Sequence, residues 1–243
     1  GVYSYEGIVG RVWQRLCEQS RGVLEVGGNI GIYAVLGGRA ARGLYTVVEP
    51  VPVVAAALAS NLRRNGLLER VRLLEAAVVP DATEREVALN IPNEQREAPV
   101  GAHLVEGVEL DARSTQRVIR TRGIPFASLA AGCELIKIDA EGIEAALLDS
   151  ARALLRTARP TLLVEVLPEA HRLASLLRTL ALEAGYRITA LPEFGLFEPV
   201  PLDPASFTAA TPGQYNAKDV VLSVAPLDQD AGAVLHPQSA TPD

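Results

Sequence analysis

The feature that most constrains this chain is an apolar run that ends in glycines, Val23-Leu-Glu-Val-Gly-Gly-Asn-Ile-Gly31. Residues 22–27 predict a short buried strand, and a helix is expected from Ile30 to about Arg39. The glycines therefore fall in a strand-to-helix turn. Glycine there lets a ligand approach the backbone where a Cβ would clash. A tight turn alone would also use such a run, so other features must decide. The spacing Gly27, Asn29, Gly31 is not the Gly-x-Gly-x-x-Gly that serves a pyrophosphate at a helix N-terminus. Glu25 is read as part of the turn, where its charge would repel a pyrophosphate and tolerate a ligand with a cationic amino-acid end.

Further strands are expected over 43–49, 70–78, 135–139, 160–166, 186–191 and 219–224, with helices over 6–19, 53–65, 142–157 and 168–185. Strands alternating with helices imply parallel βαβ units, and hence an α/β fold. Hydrophobic residues make up 49% of the 243 residues, enough for the core of one domain over 1–228, with 229–243 as a flexible tail. Residues 80–120 break the rhythm and read as a hairpin or an insertion over the sheet edge. That segment and the loop 192–216 are expected to close over a bound substrate. No apolar run reaches the ~18 residues of a membrane span. No basic n-region with an apolar h-region opens the chain. Cys17 and Cys133 read as two buried thiols, which suits a reducing cytoplasm. The net charge of −6 argues against a nucleic-acid partner.

The second strand ends in Val47-Val-Glu49-Pro50, so an acid stands at the strand tip, 22 residues after Gly27. That placement suits a carboxylate accepting both hydroxyls of a ribose, and Pro50 restricts the turn after it. The competing role for Glu49 is a helix N-terminal acid favoured by the dipole. Ala76 and Ala77, at the end of the third strand, are small enough to leave room for a flat adenine. A ribose and an adenine without a phosphate, next to a cationic end, describe S-adenosyl-L-methionine. Asp139 and Glu141 follow the fourth strand, where open α/β sheets place ligands. Asp139 is the first candidate for a catalytic base or hydroxyl anchor and a further cofactor contact. Glu165 at the tip of the fifth strand is the second candidate, followed by His171 and His103. A magnesium ion held by Asp139 and Glu165 is compatible with these residues, but no spacing demands one.

These motifs resemble the FkbM family of methyltransferases. The resemblance rests on Val23–Gly31, on Val48-Glu-Pro50 with Asn61-Leu-Arg-Arg-Asn65, on Leu135-Ile-Lys-Ile-Asp-Ala-Glu-Gly-Ile-Glu144, and on Arg159-Pro-Thr-Leu-Leu-Val-Glu165. The Tyr5-Glu6 pair also fits, which adds Tyr5 to the cofactor candidates Glu25, Gly27, Gly28, Asn29, Gly31, Glu49 and Pro50. Where the family commonly has an acidic pair before its signature strand, this chain has Pro125-Phe-Ala-Ser-Leu129. The resemblance implies a class I Rossmann-like fold with a seven-stranded, mostly parallel sheet and helices on both faces. It also implies an S-adenosylmethionine-dependent O-methyltransferase. The expected acceptor is a hydroxyl of a sugar or an oxygenated natural product such as a glycoside or polyol, and a homodimer is compatible with it. Two alternatives stay open: methylation of another acceptor class, and a cofactor-binding domain without catalysis.

Overall fold

The computed structural model describes residues 7–91, 103–105, 117–140, 142–193 and 198–227. Helix α1 (Gly7–Gln19) buries Ile8, Val9, Val12, Trp13 and Cys17, which recur at helical spacing along one stripe. Then come β1 (Gly22–Val26), α2 (Ile32–Ala40), β2 (Leu44–Glu49), α3 (Pro52–Arg64) and β3 (Val71–Glu75). Pro52 opens α3, at a position where its missing N–H leaves no helical bond unmade. The chain continues through β4 (Ala77–Val79), β5 (Arg85–Ile91), β6 (His103–Val105), β7 (Arg117–Pro125) and α4 (Phe126–Ala130). It ends with β8 (Leu135–Ile138), α5 (Glu144–Ser150), α6 (Arg152–Ala158), β9 (Thr161–Glu165), α7 (His171–Ala184), β10 (Arg187–Pro192), β11 (Val200–Leu202) and β12 (Ala217–Ser223).

The main sheet has the order β11-β10-β12-β9-β8-β1-β2-β3. Strands β3, β2, β1, β8 and β9 pair in parallel, and β12 runs antiparallel to both of its neighbours. Its central strands are buried on both faces, so they read as continuous apolar runs rather than alternating ones. Their residues divide by parity. Leu24, Ile136, Ile138 and Leu162 pack under α4–α7, while Val23, Leu135, Leu163 and Val221 pack under α1–α3. This is the expected open α/β sheet with helices on both faces. Among the described residues, no helix is long and apolar enough to cross a membrane.

Four expectations need correction. Among the described residues the main sheet has eight strands, not seven, because Val200–Leu202 pairs antiparallel with β10 at the edge. That strand is three residues long and contains Pro201, so no alternation announces it. The expected strand 70–78 stops at Glu75. Ala76 bends the chain, and Ala77–Val79 joins a separate sheet of order β4-β7-β5-β6. The expected helix 142–157 breaks at Ala151 (φ −107°, ψ 15°), where the Ser150 hydroxyl bonds back to the Leu147 carbonyl. Both cysteines are free thiols, but only Cys17 is buried; Cys133, in the turn before β8, is half-buried.

The described part of 80–120 is antiparallel. β5 pairs with β7 over Arg85–Ile91 and with β6 over Ala88–Asn90. One face buries Val87 and Leu89, and the exposed ion pairs Arg120–Glu86 and Arg122–Glu84 lie on the opposite face. Residues 92–102, 106–116 and 194–197, in the two segments expected to close over a substrate, lie outside the described residues, as does the tail 229–243.

Helix α1 crosses α2 at Gly37. A Cβ there would lie 2.5 Å from the Tyr45 ring, 2.7 Å from Trp13 Nε1 and 2.8 Å from Cys17 Sγ. Gly37→Ala gains about 1 kcal/mol of helix propensity but overpacks rigid rings, at a cost of about 1–3 kcal/mol. The variant is expected to unfold at lower urea concentration than the native chain. A midpoint at or above the native value would contradict the packing account.

Candidate active site

The tips of β1, β2 and β8 meet. Gly27 has φ +81°, and a Cβ on it would sit 1.8 Å from the carbonyl oxygen of Asp139. Only glycine fits, so the β1 turn lies directly against the residue that follows β8. The N–H groups of Gly27 and Gly28 both donate to the Val48 carbonyl, at 3.0 Å each, which pins the same turn to β2. Gly28 is also held bare, because its Cβ would collide with Val47 and Leu58. Asn29 (φ +46°) and Gly31 (φ +92°) complete the reversal, and the Gly31 N–H donates to the Gly28 carbonyl at 2.9 Å.

Glu49 is 6% exposed and holds two turns at once. Its Oε2 accepts the Asn29 N–H at 2.9 Å, and its Oε1 accepts the Val51 N–H at 3.0 Å. Burial pushes its carboxyl above the ordinary value, against the pull of those two N–H groups. Each oxygen keeps a further lone pair, so the carboxylate can take two more donors. Pro50 is half-buried between Glu49 and the start of α3. Ala76 and Ala77 are both buried, in separate clusters.

Glu25 does not line the turn. It stands within β1, shares the parity of Val23, and points into the α1–α3 layer, where it is 1% exposed and accepts the Tyr45 hydroxyl. Burial raises its carboxyl to about 7, against the opposing effects of Lys137 and the Tyr45 hydrogen bond. Lys137 projects from β8 into the same layer at 3% exposure. Its Nζ lies 3.0 Å from Asp139 Oδ2 and 4.4 Å from the centre of the Tyr33 ring. Burial pulls Lys137 down, but the charges of Asp139, Glu25 and Asp219 lift it above its ordinary value.

Asp139 itself keeps 38% of its side chain exposed, at the rim beside Gly27. The signature loop behind it is closed by Glu144, whose carboxylate accepts the N–H groups of Ala140 and Gly142 at 2.9 and 3.1 Å. Glu144 thus has a loop-forming role. Glu165 accepts Lys218 Nζ at 3.0 Å, and Lys218 also reaches Glu193 at 3.6 Å. His171 is exposed at the first position of α7. The backbone of His103 pairs with Asn90 in β6. Tyr5, Glu141 and the side chain of His103 lie outside the described residues. No group of three His, Cys, Asp or Glu among the described residues is placed to hold a metal, and neither Asp139 nor Glu165 is assigned to one.

Sequence reasoning passed over Lys137, Lys218, Asp219 and Tyr45. A lysine inside Leu-Ile-Lys-Ile and an acid opening Asp-Val-Val-Leu are charges in strands that bury both faces, and that was the available signal. A cavity of about 280 Å³ lies between α2 and α3, bordered by Ile30, Leu36, Arg39, Asn61 and Asn65. Its polar groups are engaged with one another and with the Ile30 carbonyl. The charged groups collect instead at the strand tips.

The family profile of the Methyltransferase FkbM domain matches residues 25–188, which contain the turn, Glu49, Asp139 and Glu165. The chain belongs to the FkbM methyltransferase family. The fold of this FkbM domain is similar to that of the methyltransferase FkbM from Methylobacillus flagellatus, with a TM-score of 0.50 and 14% identity. That similarity covers 84% of this chain and 43% of the other, so the chain spans less than half of that protein. A cofactor-bound protein, Rv0187 from MTB, is similar at TM-score 0.49 and 17% identity over 90% of this chain and 81% of its own. An O-methyltransferase from Bacillus cereus, solved in complex with SAH, is similar at TM-score 0.45 and 15% identity, over 89% and 80%. No curated protein matches the chain in sequence.

The FkbM domain carries its buried acid at an energetic cost that depends on pH. The folded Glu25 carboxyl titrates at about 7, above its ordinary 4.5. The native state therefore binds more protons than the unfolded state between these values, and stability falls as pH rises through that window. Glu25→Gln removes this loss. Relative to the native chain, the variant is expected to gain up to about 3 kcal/mol between pH 4.5 and pH 8. Urea unfolding at several pH values measures it; parallel pH profiles for the two proteins would disprove the assignment.

Proposed function

We propose that this FkbM domain binds S-adenosyl-L-methionine at the β1–β2 tips and methylates a hydroxyl of a sugar or oxygenated natural product. The observation that carries the reading is Glu49: a buried carboxylate at the β2 tip, each oxygen accepting one N–H and free to accept another donor. A pair of vicinal hydroxyls fits that acceptor pair. The backbone at Gly27, Gly28 and Gly31, which carry no side chains, leaves a close approach for the amino-acid end of the cofactor. When bound, the cofactor supplies a methyl group activated on a sulfonium.

The chain must align the acceptor hydroxyl and help its proton leave. Asp139 is suited to this, because its carboxylate is exposed at the rim while Lys137 fixes one of its oxygens. Glu165 is second, with one oxygen engaged by Lys218. His171 and His103 stand behind them as candidate bases, Tyr5 and Pro50 as further cofactor contacts, and Ala76 and Ala77 as walls of an adenine site. Several carboxylates at one rim favour a polyhydroxyl acceptor over a phosphorylated one. The single-domain reading over 1–228, with 80–120 closing over the acceptor, completes the proposal.

Glu49→Ala should weaken cofactor binding by about 2–4 kcal/mol, the loss of two charge-assisted hydrogen bonds. Asp139→Asn should lower turnover by roughly 100- to 10,000-fold while cofactor affinity stays within a few fold. Titration calorimetry and a radiolabelled-methyl screen across glycosides, polyols, amines and peptides read both. Unchanged affinity in Glu49→Ala removes the ribose assignment. Transfer to amines or peptides alone removes the acceptor class.

A further inference from the structure

On the α1–α3 side of the sheet, two buried carboxyls, Glu25 and Asp219, and the half-exposed Asp139 act on one buried ammonium. The charges of all three act on Lys137, and among the described residues its ion pair is with Asp139. Glu25 has the Tyr45 hydroxyl. Asp219, 5% exposed at the start of β12 and in register with Glu165, makes no side-chain hydrogen bond or ion pair among the described residues. The other lysine that acts on Asp219, Lys218, is drawn to Glu165 and Glu193. Burial makes such a carboxyl hold its proton more tightly, and each cation brought near it loosens that hold.

We propose that Asp219, acting with Glu25 across Lys137, reads the charge on the cofactor sulfur. The cluster releases a proton when a sulfonium is bound and takes one back when only the thioether remains. The charges balance over the reaction. The S–CH3 bond breaks with its electron pair left on sulfur, the O–CH3 bond forms, and the acceptor O–H proton leaves. One positive charge disappears at sulfur and one proton appears at oxygen. Asp139, the exposed member of the cluster, is the entry point for that proton. This second half rests on the hydroxyl-acceptor reading above; the charge-reading half rests on the cofactor alone.

The groups facing each acid agree with this. Around Glu25 stand Tyr45 and Glu49 from β2, Lys137 and Asp139 from β8, and Cys17 from α1; the Tyr45 and Cys17 protons are held far above their ordinary values. Around Asp219 stand Lys137 and Asp139 from β8, Glu165 from β9, and its neighbour Lys218. Burial raises both carboxyls to about 7, against the pull of these lysines, so each can exchange a proton near neutral pH. The consequence is a preference for the sulfonium over the thioether that grows as pH rises.

Titration calorimetry of the full chain with S-adenosylmethionine and S-adenosylhomocysteine tests this without any acceptor. Runs at pH 6, 7 and 8, in buffers of different ionisation enthalpy, count the protons released. More proton release is expected for the sulfonium ligand than for the thioether. The affinity ratio should rise with pH, with a ceiling of about tenfold per pH unit for one linked proton. Asp219→Asn and Glu25→Gln should each flatten that rise by at least half, and if one variant fails to fold the other decides. Equal proton counts for the two ligands, a ratio that does not change with pH, or native slopes in the folded variants would overturn the proposal. Absence of binding by either ligand would overturn the cofactor reading and this proposal together. A failed glycoside screen would touch neither.

Discussion

Gly27 lies so close to the Asp139 carbonyl that no side chain fits between them. Much of the rim follows from that contact. It brings the end of β1 against the end of β8, so the glycine turn and the signature loop share one edge of the sheet. The Val48 carbonyl then receives two N–H groups of the turn, and Glu49 receives one from each neighbouring turn. Three strand tips are thereby locked by backbone bonds and one carboxylate. Polar groups fixed this way need little reorganisation to meet a ligand, which is the condition for strong electrostatic interaction at a rim.

The same layer shows what the arrangement costs. Buried charges are expensive, and a single buried lysine shared by the buried Glu25 and Asp219 and the half-exposed Asp139 leaves part of that expense unmet. A fold selected only for stability would place apolar residues at 25, 137 and 219, as it does at Val23, Leu135 and Val221 on the same face. Local rules broken this way in an otherwise consistent core are expected at functional or strained sites.

The alternation of strands and helices was legible because the central strands are buried on both sides and stand out as apolar runs. Glu49 was legible because an acid that ends such a run, just before a proline, contributes nothing to the apolar packing of the strand itself. The orientation of Glu25 follows from its parity with Val23, a signal that the adjoining glycines obscure. The partners of Asp219 were not legible, because they come from strand order rather than chain order. β12 is inserted between β9 and β10, and nothing in residues 217–223 announces that position. The edge strand Val200–Leu202, the bend at Ala76 and the break at Ala151 are each set by one or two residues, below the length at which periodicity speaks.

The insertion of β12 also sets an order of assembly. As the chain leaves a ribosome, β9 emerges with a bare edge, and β10 follows with no partner on the sheet, since the strand that joins them is still to be made. Until residue 223 is free, the sheet ends at an open strand and β10 has nowhere to dock, a state prone to pairing with other chains. Arrival of β12 closes that gap and delivers Lys218 and Asp219 to the rim in the same event. A nascent or truncated chain therefore holds the glycine turn and Glu49 well before it holds the buried acid opposite Glu165.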